Sequence, residues 1–145
     1  MFSLPIAANR AIFLAVMTYP FDNTLKLGIG GNIDRFDDRR GAPDGLKHAA
    51  VSVVIIGHGD DAAFLLTKRS PRLNAHSGQW ALPGGRVDAG ETALEAALRE
   101  LREEINVDLA EDHLLGTLDD YPTRSGYRIT PFVFWAGEDI EPVAN

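Results

Sequence analysis

Glu100, Glu103 and Glu104 stand at i, i+3 and i+4 within a stretch whose apolar residues recur with helical period. On an α-helix these positions are neighbours on one face, so the spacing gathers three carboxylates into one patch. Like charges so placed repel by a few tenths of a kcal/mol per pair. Between Asp88 and Asp108 there are seven acidic and two basic residues, so this segment alone carries five of the seven net negative charges. Solubility does not require such a concentration. Two readings compete: a solvated acidic face, or a set of hard oxygen donors of the kind Mg²⁺ and Mn²⁺ prefer, held apart at fixed distances by a rigid helix.

The helix that must position them is legible from Glu91 to Ile105. Leu94, Leu98, Leu101 and Ile105 form one apolar stripe, set to one side of the acidic patch. Asp88 with Glu91 three residues later predicts an N-cap pair, and Asn106, tolerant of the left-handed conformation, predicts the stop. Upstream, Ala49 to Ile56 is an apolar, largely β-branched run that predicts a central strand buried on both faces. Gly57, Gly59, Asp60 and Asp61 predict a longer hairpin loop, with Ala63 to Lys68 as the returning strand. Arg69 to Gly78 reads as a loop, and Trp80 to Leu82 as a short apolar stretch halted by Pro83-Gly84-Gly85. Leu114 to Leu118 and Ile129 to Trp135 predict further strands, joined by the turn-rich 121–126. Nearer the N-terminus, Ile12, Leu14 and Val16 fit one face of a strand, while Phe13 and Ala15 leave a buried helix turn open. Gly28 to Gly31 predicts a break, and Asp34 to Lys47 a charged loop leading into the core. Strands around one strong helix predict an α+β fold, an α/β/α sandwich with a mixed sheet. The expected division is an N-terminal segment, 1–47, and a domain, 48–145.

Composition narrows the chemistry. The 145 residues suit one domain, and 45% hydrophobic content can bury a core. Fourteen Lys and Arg face 21 Asp and Glu, a net charge of −7, which disfavours nucleic acid or an anionic membrane as partner. A bound divalent metal can still bring in an anionic small molecule. The absence of Cys removes disulfides, thiolate metal sites and Cys nucleophiles. The apolar run Ala11 to Met17 is too short to span a bilayer and lacks the context of a signal peptide, so the expectation is a soluble, cytoplasmic protein.

From Gly85 onward the chain reads G-x5-E-x7-R-E-L-R-E-E-I-N-V, through Gly85, Glu91, Arg99, Glu100, Leu101, Glu103, Glu104 and Val107. This resembles the Nudix box, G-x5-E-x7-R-E-U-x-E-E-x-G-U with U apolar, and Asn106 in place of the final Gly is the single departure. The resemblance implies hydrolysis of a phosphoanhydride in a nucleoside-diphosphate-linked small molecule, with Mg²⁺ or Mn²⁺. Carried over by position, Glu100, Glu103, Glu104 and the Gly84 carbonyl are the expected metal ligands. Arg99 would orient Glu100, while Gly85 and Glu91 hold the loop against the helix. The resemblance leaves the general base open between a box Glu and an acidic residue on a distant loop, and Glu103 is the candidate chosen.

The flanks resemble the coenzyme A pyrophosphatase branch, whose additional motif is L-L-T-x-R-S-x3-R-x3-G-x3-F-P-G-G. Leu65-Leu66-Thr67-Lys68-Arg69-Ser70, Gly78 and Leu82-Pro83-Gly84-Gly85 keep its spacing, with Asn74 replacing Arg and Leu82 replacing Phe. The implied substrate is coenzyme A or an acyl-CoA, cleaved to 3′-phospho-ADP and 4′-phosphopantetheine. Lys68, Arg69, Arg124 and Arg128 would supply cations for its phosphates. The lost Arg at Asn74 keeps one alternative, a broader hydrolase of ADP-ribose or dinucleotides, and the short C-terminus keeps another, a silent Nudix-fold binding module. Relatives of the branch continue beyond the last strand, so the short C-terminus would leave sheet edges open and favour a homodimer.

Overall fold

Alternation along the long strands sorts the side chains onto two faces, and each face is closed by one helix. The computed structural model describes residues 2–4 by their backbone, and 11–35, 45–68, 79–137 and 140–144. Its elements are β1 (Phe2–Leu4), β2 (Ala11–Pro20), α1 (Asn23–Arg35), β3 (Lys47–His58), β4 (Asp61–Lys68), β5 (Trp80–Ala81) and β6 (Gly84–Arg86). There follow α2 (Ala93–Ile105), a 3₁₀ turn (Glu111–His113), β7 (Leu114–Thr117), β8 (Tyr121–Pro122) and β9 (Tyr127–Gly137). The main sheet order is β1-β2-β4-β3-β9-β7, with β5 on β4, β6 on β3 and β8 on β9. β3 and β9 run parallel and every other described pair is antiparallel, so the sheet is mixed as expected.

Ala50, Val54 and Ile56 of β3 join Phe132 and Phe134 of β9 against Leu98, Leu101 and Ile105 of α2. The intervening Val53 and Ile55, with Val133 and Trp135, face Leu25, Ile29 and Ile33 of α1. A strand buried on both faces needs apolar residues at successive positions, which is why residues 49–56 read as an apolar run interrupted only by Ser52, itself buried. The α/β/α layering follows from this arrangement.

Four local expectations change. The helix α1 runs through Gly28 to Gly31, where the sequence predicts a break. Each glycine costs about 1 kcal/mol relative to Ala, but Leu25, Ile29 and Ile33 recur at helical spacing and bury against the sheet. Gly116 on β7 assists, since a Cβ there would collide with Ile33. Accordingly Asp34 and Arg35 end a helix and Lys47 opens β3, which leaves only part of 34–47 outside regular structure and 36–44 outside the described residues. The alternatives at 12–16 resolve to a strand, paired with β4. The β3–β4 connection is tight: His58 pairs with Asp61 across Gly59, whose φ of 60° suits a two-residue turn, and Asp60.

The cap of α2 is Thr92 rather than Asp88. Glu95 N donates to the Thr92 hydroxyl at 3.1 Å and Thr92 N donates to Glu95 Oε2 at 2.8 Å, a reciprocal capping box. The Asp88–Glu91 pair instead closes the preceding turn, where Asp88 N donates to Glu91 Oε1 at 2.9 Å. At the other end Asn106 is left-handed, with φ of 55°, and stops the helix as predicted. Its side chain donates to Val143 O, tying residues 140–144 to the helix end. Among the described residues no helix is long and apolar enough to cross a membrane.

Candidate active site

The helix stripe behaves as its period requires: Leu98, Leu101 and Ile105 are buried and Leu94 is half-buried. The three glutamates are not equivalent. Glu103 has a side chain 60% exposed, Glu100 only 16%, and Glu104 is buried at 8%. A solvated acidic face describes Glu103 alone. Carboxylates as buried as the other two require partners.

Arg99 supplies most of them. Its Nε donates to Glu91 Oε2 at 2.8 Å and its Nη2 to Glu91 Oε1 at 3.0 Å, a two-point fork onto one carboxylate. Its Nη1 reaches Glu100 Oε1 at 3.0 Å and Glu103 Oε2 at 3.1 Å, and Nη2 also reaches the Arg86 carbonyl at 3.0 Å. The fork holds the Glu91 carboxyl below its usual range, chiefly through the Arg99 hydrogen bonds, and holds Arg99 firmly protonated. One guanidinium thus fixes the entry loop, the helix and two of the three acidic side chains. Glu104 Oε1 meets the backbone of Gly84, whose N–H donates at 3.4 Å.

The two glycines before the helix are strand residues: Gly84 pairs with Val51 and Gly85 with Ala50. A Cβ on Gly84 would strike the Ala50 carbonyl, and one on Gly85 would strike the Glu100 carboxylate. Their smallness lets β6 lie against β3 and lets Glu100 lie against β6. As a donor set the site fits a hard divalent cation, offering carboxylate and backbone oxygen with neither thiolate nor, among the described residues, imidazole beside them. Among the described residues no three acidic or histidine groups close on one point, so the donors form an open patch rather than a preformed cage.

Beside the patch a cavity of about 610 Å³ opens between β6, β3 and β9. Ala49, Val51, Leu82 and Ile129 give it an apolar floor, Glu104 and Gly84 stand at its wall, and Arg86, Ser125 and Tyr127 contribute polar groups. Of the four cations expected to bind substrate, the three among the described residues, Lys68, Arg124 and Arg128, do not line this cavity. The Lys68 ammonium lies 5.3 Å from the Trp80 ring centroid. Arg124 is exposed in the turn before β9 and Arg69 is outside the described residues. Arg128 projects to the other face of β9, where its Nη2 donates to His48 Nδ1 at 3.1 Å and its Nε lies 3.6 Å from Asp120. Sequence reasoning missed Arg86, a lone cation in a glycine-rich stretch, and Tyr127. Only the register of β6 on β3 and of β3 on β9 brings them together.

A parallel pair inside an α/β/α sandwich, with a G-x5-E-x7-R-E-L-R-E-E loop and helix clamped by one arginine, is the class of fold and site that the motif implies. Residues 46–143 match the NUDIX domain model, and the chain belongs to the Nudix hydrolase family. Members of the family use a divalent metal ion and act on small-molecule nucleoside-diphosphate substrates. The "Uncharacterized Nudix hydrolase NudL" of Yersinia enterocolitica is 39% identical over 94 residues, which cover 64% of this chain and 48% of that protein. The chain spans about half the length of the curated relatives it matches. Among solved structures, the Nudix hydrolase RenU of M. smegmatis is similar with a TM-score of 0.55 and 25% identity, over 71% of this chain and 74% of that one. A C. elegans Ap4A hydrolase shares the fold at a TM-score of 0.53 and 24% identity, over 69% and 73%.

Proposed function

We propose that this chain is a Mg²⁺- or Mn²⁺-dependent diphosphatase that cleaves coenzyme A or its acyl thioesters to 3′-phospho-ADP and a 4′-phosphopantetheine product. The observation that carries the reading is the Arg99 fork, which keeps Glu100 and Glu103 ordered on the helix face while Glu104 stays buried at the cavity wall. Glu100, Glu103, Glu104 and the Gly84 carbonyl are the groups that would hold the ion. When bound, such an ion polarises phosphoryl oxygens, acidifies a water and offsets charge on the departing phosphate. Glu91 fixes Arg99, and Arg99 fixes the direction of Glu100. Glu103, the most exposed of the three, is the general base that takes the proton of the attacking water. The apolar floor of Ala49, Val51 and Ile129 shields the reacting groups from water.

Support for coenzyme A comes from the intact spacing of Leu65 to Gly85. Asn74, in place of an Arg, supports a broader hydrolase of ADP-ribose or dinucleotides, and the likeness to an Ap4A hydrolase points the same way. The test is to incubate purified protein with coenzyme A, ADP-ribose and Ap4A in turn, with Mg²⁺ or Mn²⁺, and resolve the products chromatographically. Release of 3′-phospho-ADP is expected. Cleavage of ADP-ribose or Ap4A without cleavage of coenzyme A would shift the reading to the broader hydrolase.

A further inference from the structure

We propose that Arg86, pinned by Tyr127, is the substrate-anion contact of the cavity beside the acidic patch; this rests on the diphosphatase reading of that cavity. Arg86 ends β6 opposite Ala49, and Ala49 in turn pairs with Ile129, so its side chain falls on the cavity face of the sheet. Its Nε donates to the Tyr127 hydroxyl at 2.7 Å, and its guanidinium lies 5.5 Å from the Tyr127 ring centroid. A flexible side chain is thereby held in one place at a single nitrogen. Its two Nη groups keep four N–H donors, with no carboxylate partner among the described residues, in the planar fork that suits phosphate.

Tyr127 is itself held. Its N–H donates to the Thr123 hydroxyl at 3.1 Å and its carbonyl accepts from Thr123 N at 2.8 Å, which closes the 123–126 turn against the strand. Its phenol accepts from Arg86 and retains its own proton for a ligand. The Lys47 ammonium, 6.0 Å from the same ring centroid, adds positive field on this face. Glu104 and the two glycines stand at the same cavity, so it has an acidic wall that repels a bare phosphate and a cationic one that attracts it. That polarity orients a diphosphate ester. Arg128, whose charge faces Asp120 and His48, is not available in this way. Replacing the Arg86 side chain leaves its carbonyl, which Arg99 uses, in place. Its loss therefore acts on substrate affinity, through KM, with kcat little changed.

The test measures steady-state KM and kcat for R86A, R86K and Y127F on coenzyme A and on dephospho-coenzyme A, which lacks the 3′-phosphate. The expected result is a rise in KM of about tenfold for R86A, a smaller rise for R86K and Y127F, and kcat within about threefold of the parent. A rise on both substrates places the diphosphate at Arg86, and a rise on coenzyme A alone places the 3′-phosphate there. Unchanged KM on both substrates overturns the proposal. If R86A does not fold, as read by its thermal transition, R86K and Y127F decide by the same criterion. If the parent turns over no diphosphate, the diphosphatase reading fails on its own. Calorimetric titration with coenzyme A then reads Arg86 directly: weaker binding in R86A retains the contact, and equal or absent binding in both proteins overturns it.

Discussion

The two helices have the same length, 13 residues each, and cover opposite faces of one sheet, yet they are specified in different ways. α2 carries its instructions locally: a capping box at Thr92, an unbroken apolar stripe and a left-handed Asn106. α1 has three glycines in its interior, no acidic residue in its first turn, and one buried side chain, Ile33. It is held by the sheet it covers rather than by its own sequence. The acidic patch sits on the locally specified helix. Three carboxylates that repel one another need a scaffold that does not yield, and α2, clamped through Arg99 to the preceding loop, is that scaffold.

The largest expected effect tests whether the functional difference is real. Replacing Glu103 or Glu104 by Gln keeps the size and removes the charge, and activity should fall by about 10²-fold or more. Metal-free thermal stability should stay level for Glu103→Gln, or rise slightly as repulsion is relieved. Glu95→Gln is the control. Gln can close the same box with Thr92, so its turnover should match the parent. Parental turnover in both the Glu103 and Glu104 variants would end the assignment of this helix.

The same contrast explains what was legible. The stripe, the Asn106 stop and the buried run of β3 are patterns within a dozen residues, and each appears where the sequence puts it. The path of α1 depends on Trp135 and Val133, about a hundred residues away, and glycine-rich sequence hides it. In the site, the glutamates, Arg99 and Glu91 are one contiguous motif. The cavity is assembled by strand register instead: Arg86 meets Tyr127 across 41 positions, and His48 meets Arg128 across 80. No local signal marks those pairs. Sequence cannot say which face of β9 Arg128 takes; it lies on the face of His48 and Asp120, opposite Tyr127.

Acid should unsettle the molecule through His48 first. Thr130 Oγ1 donates its one proton to Asp120 at 2.6 Å, so the 2.8 Å contact from His48 Nε2 must be a donation by the ring. Arg128 donates to Nδ1, which fixes His48 as a neutral tautomer. Burial, then the Arg128 charge, lowers its pKa from the ordinary 6.5, against an opposing pull from Asp120. With the folded value depressed, the unfolded chain binds the proton more readily. The contribution to stability is therefore full above 6.5 and is lost as pH falls through that value toward the folded one. Thermal midpoints should be flat from about pH 7 to 8 and decline below 6.5, with a second decline below 4.5 as Glu91 releases Arg99. His48→Gln should remove the first decline and keep the second. A midpoint in that variant that still drops between pH 6.5 and 5 would assign the loss to another group.

The smallest effects should have opposite signs in the two helices. Thr92→Ala deletes the hydroxyl that caps α2, leaves Glu95 N without its acceptor, and should cost about 1 kcal/mol. In α1 the corresponding change is a gain. A Cβ at Gly28 or Gly30 meets nothing within 4 Å, and neither residue has a positive φ, so Ala fits without strain. It also restricts the unfolded chain, and each substitution should add about 0.4–1 kcal/mol. Gly31→Ala is the graded case, since its Cβ would come within 3.4 Å of Arg35 Nη1, the mobile end of an exposed side chain, and its gain should be the least. Urea denaturation of the single variants would read all of these as midpoint shifts at constant m. A loss on Gly30→Ala would mean that the glycine serves the packing of α1 on the sheet, and that the helix is specified by close approach rather than merely tolerated by it.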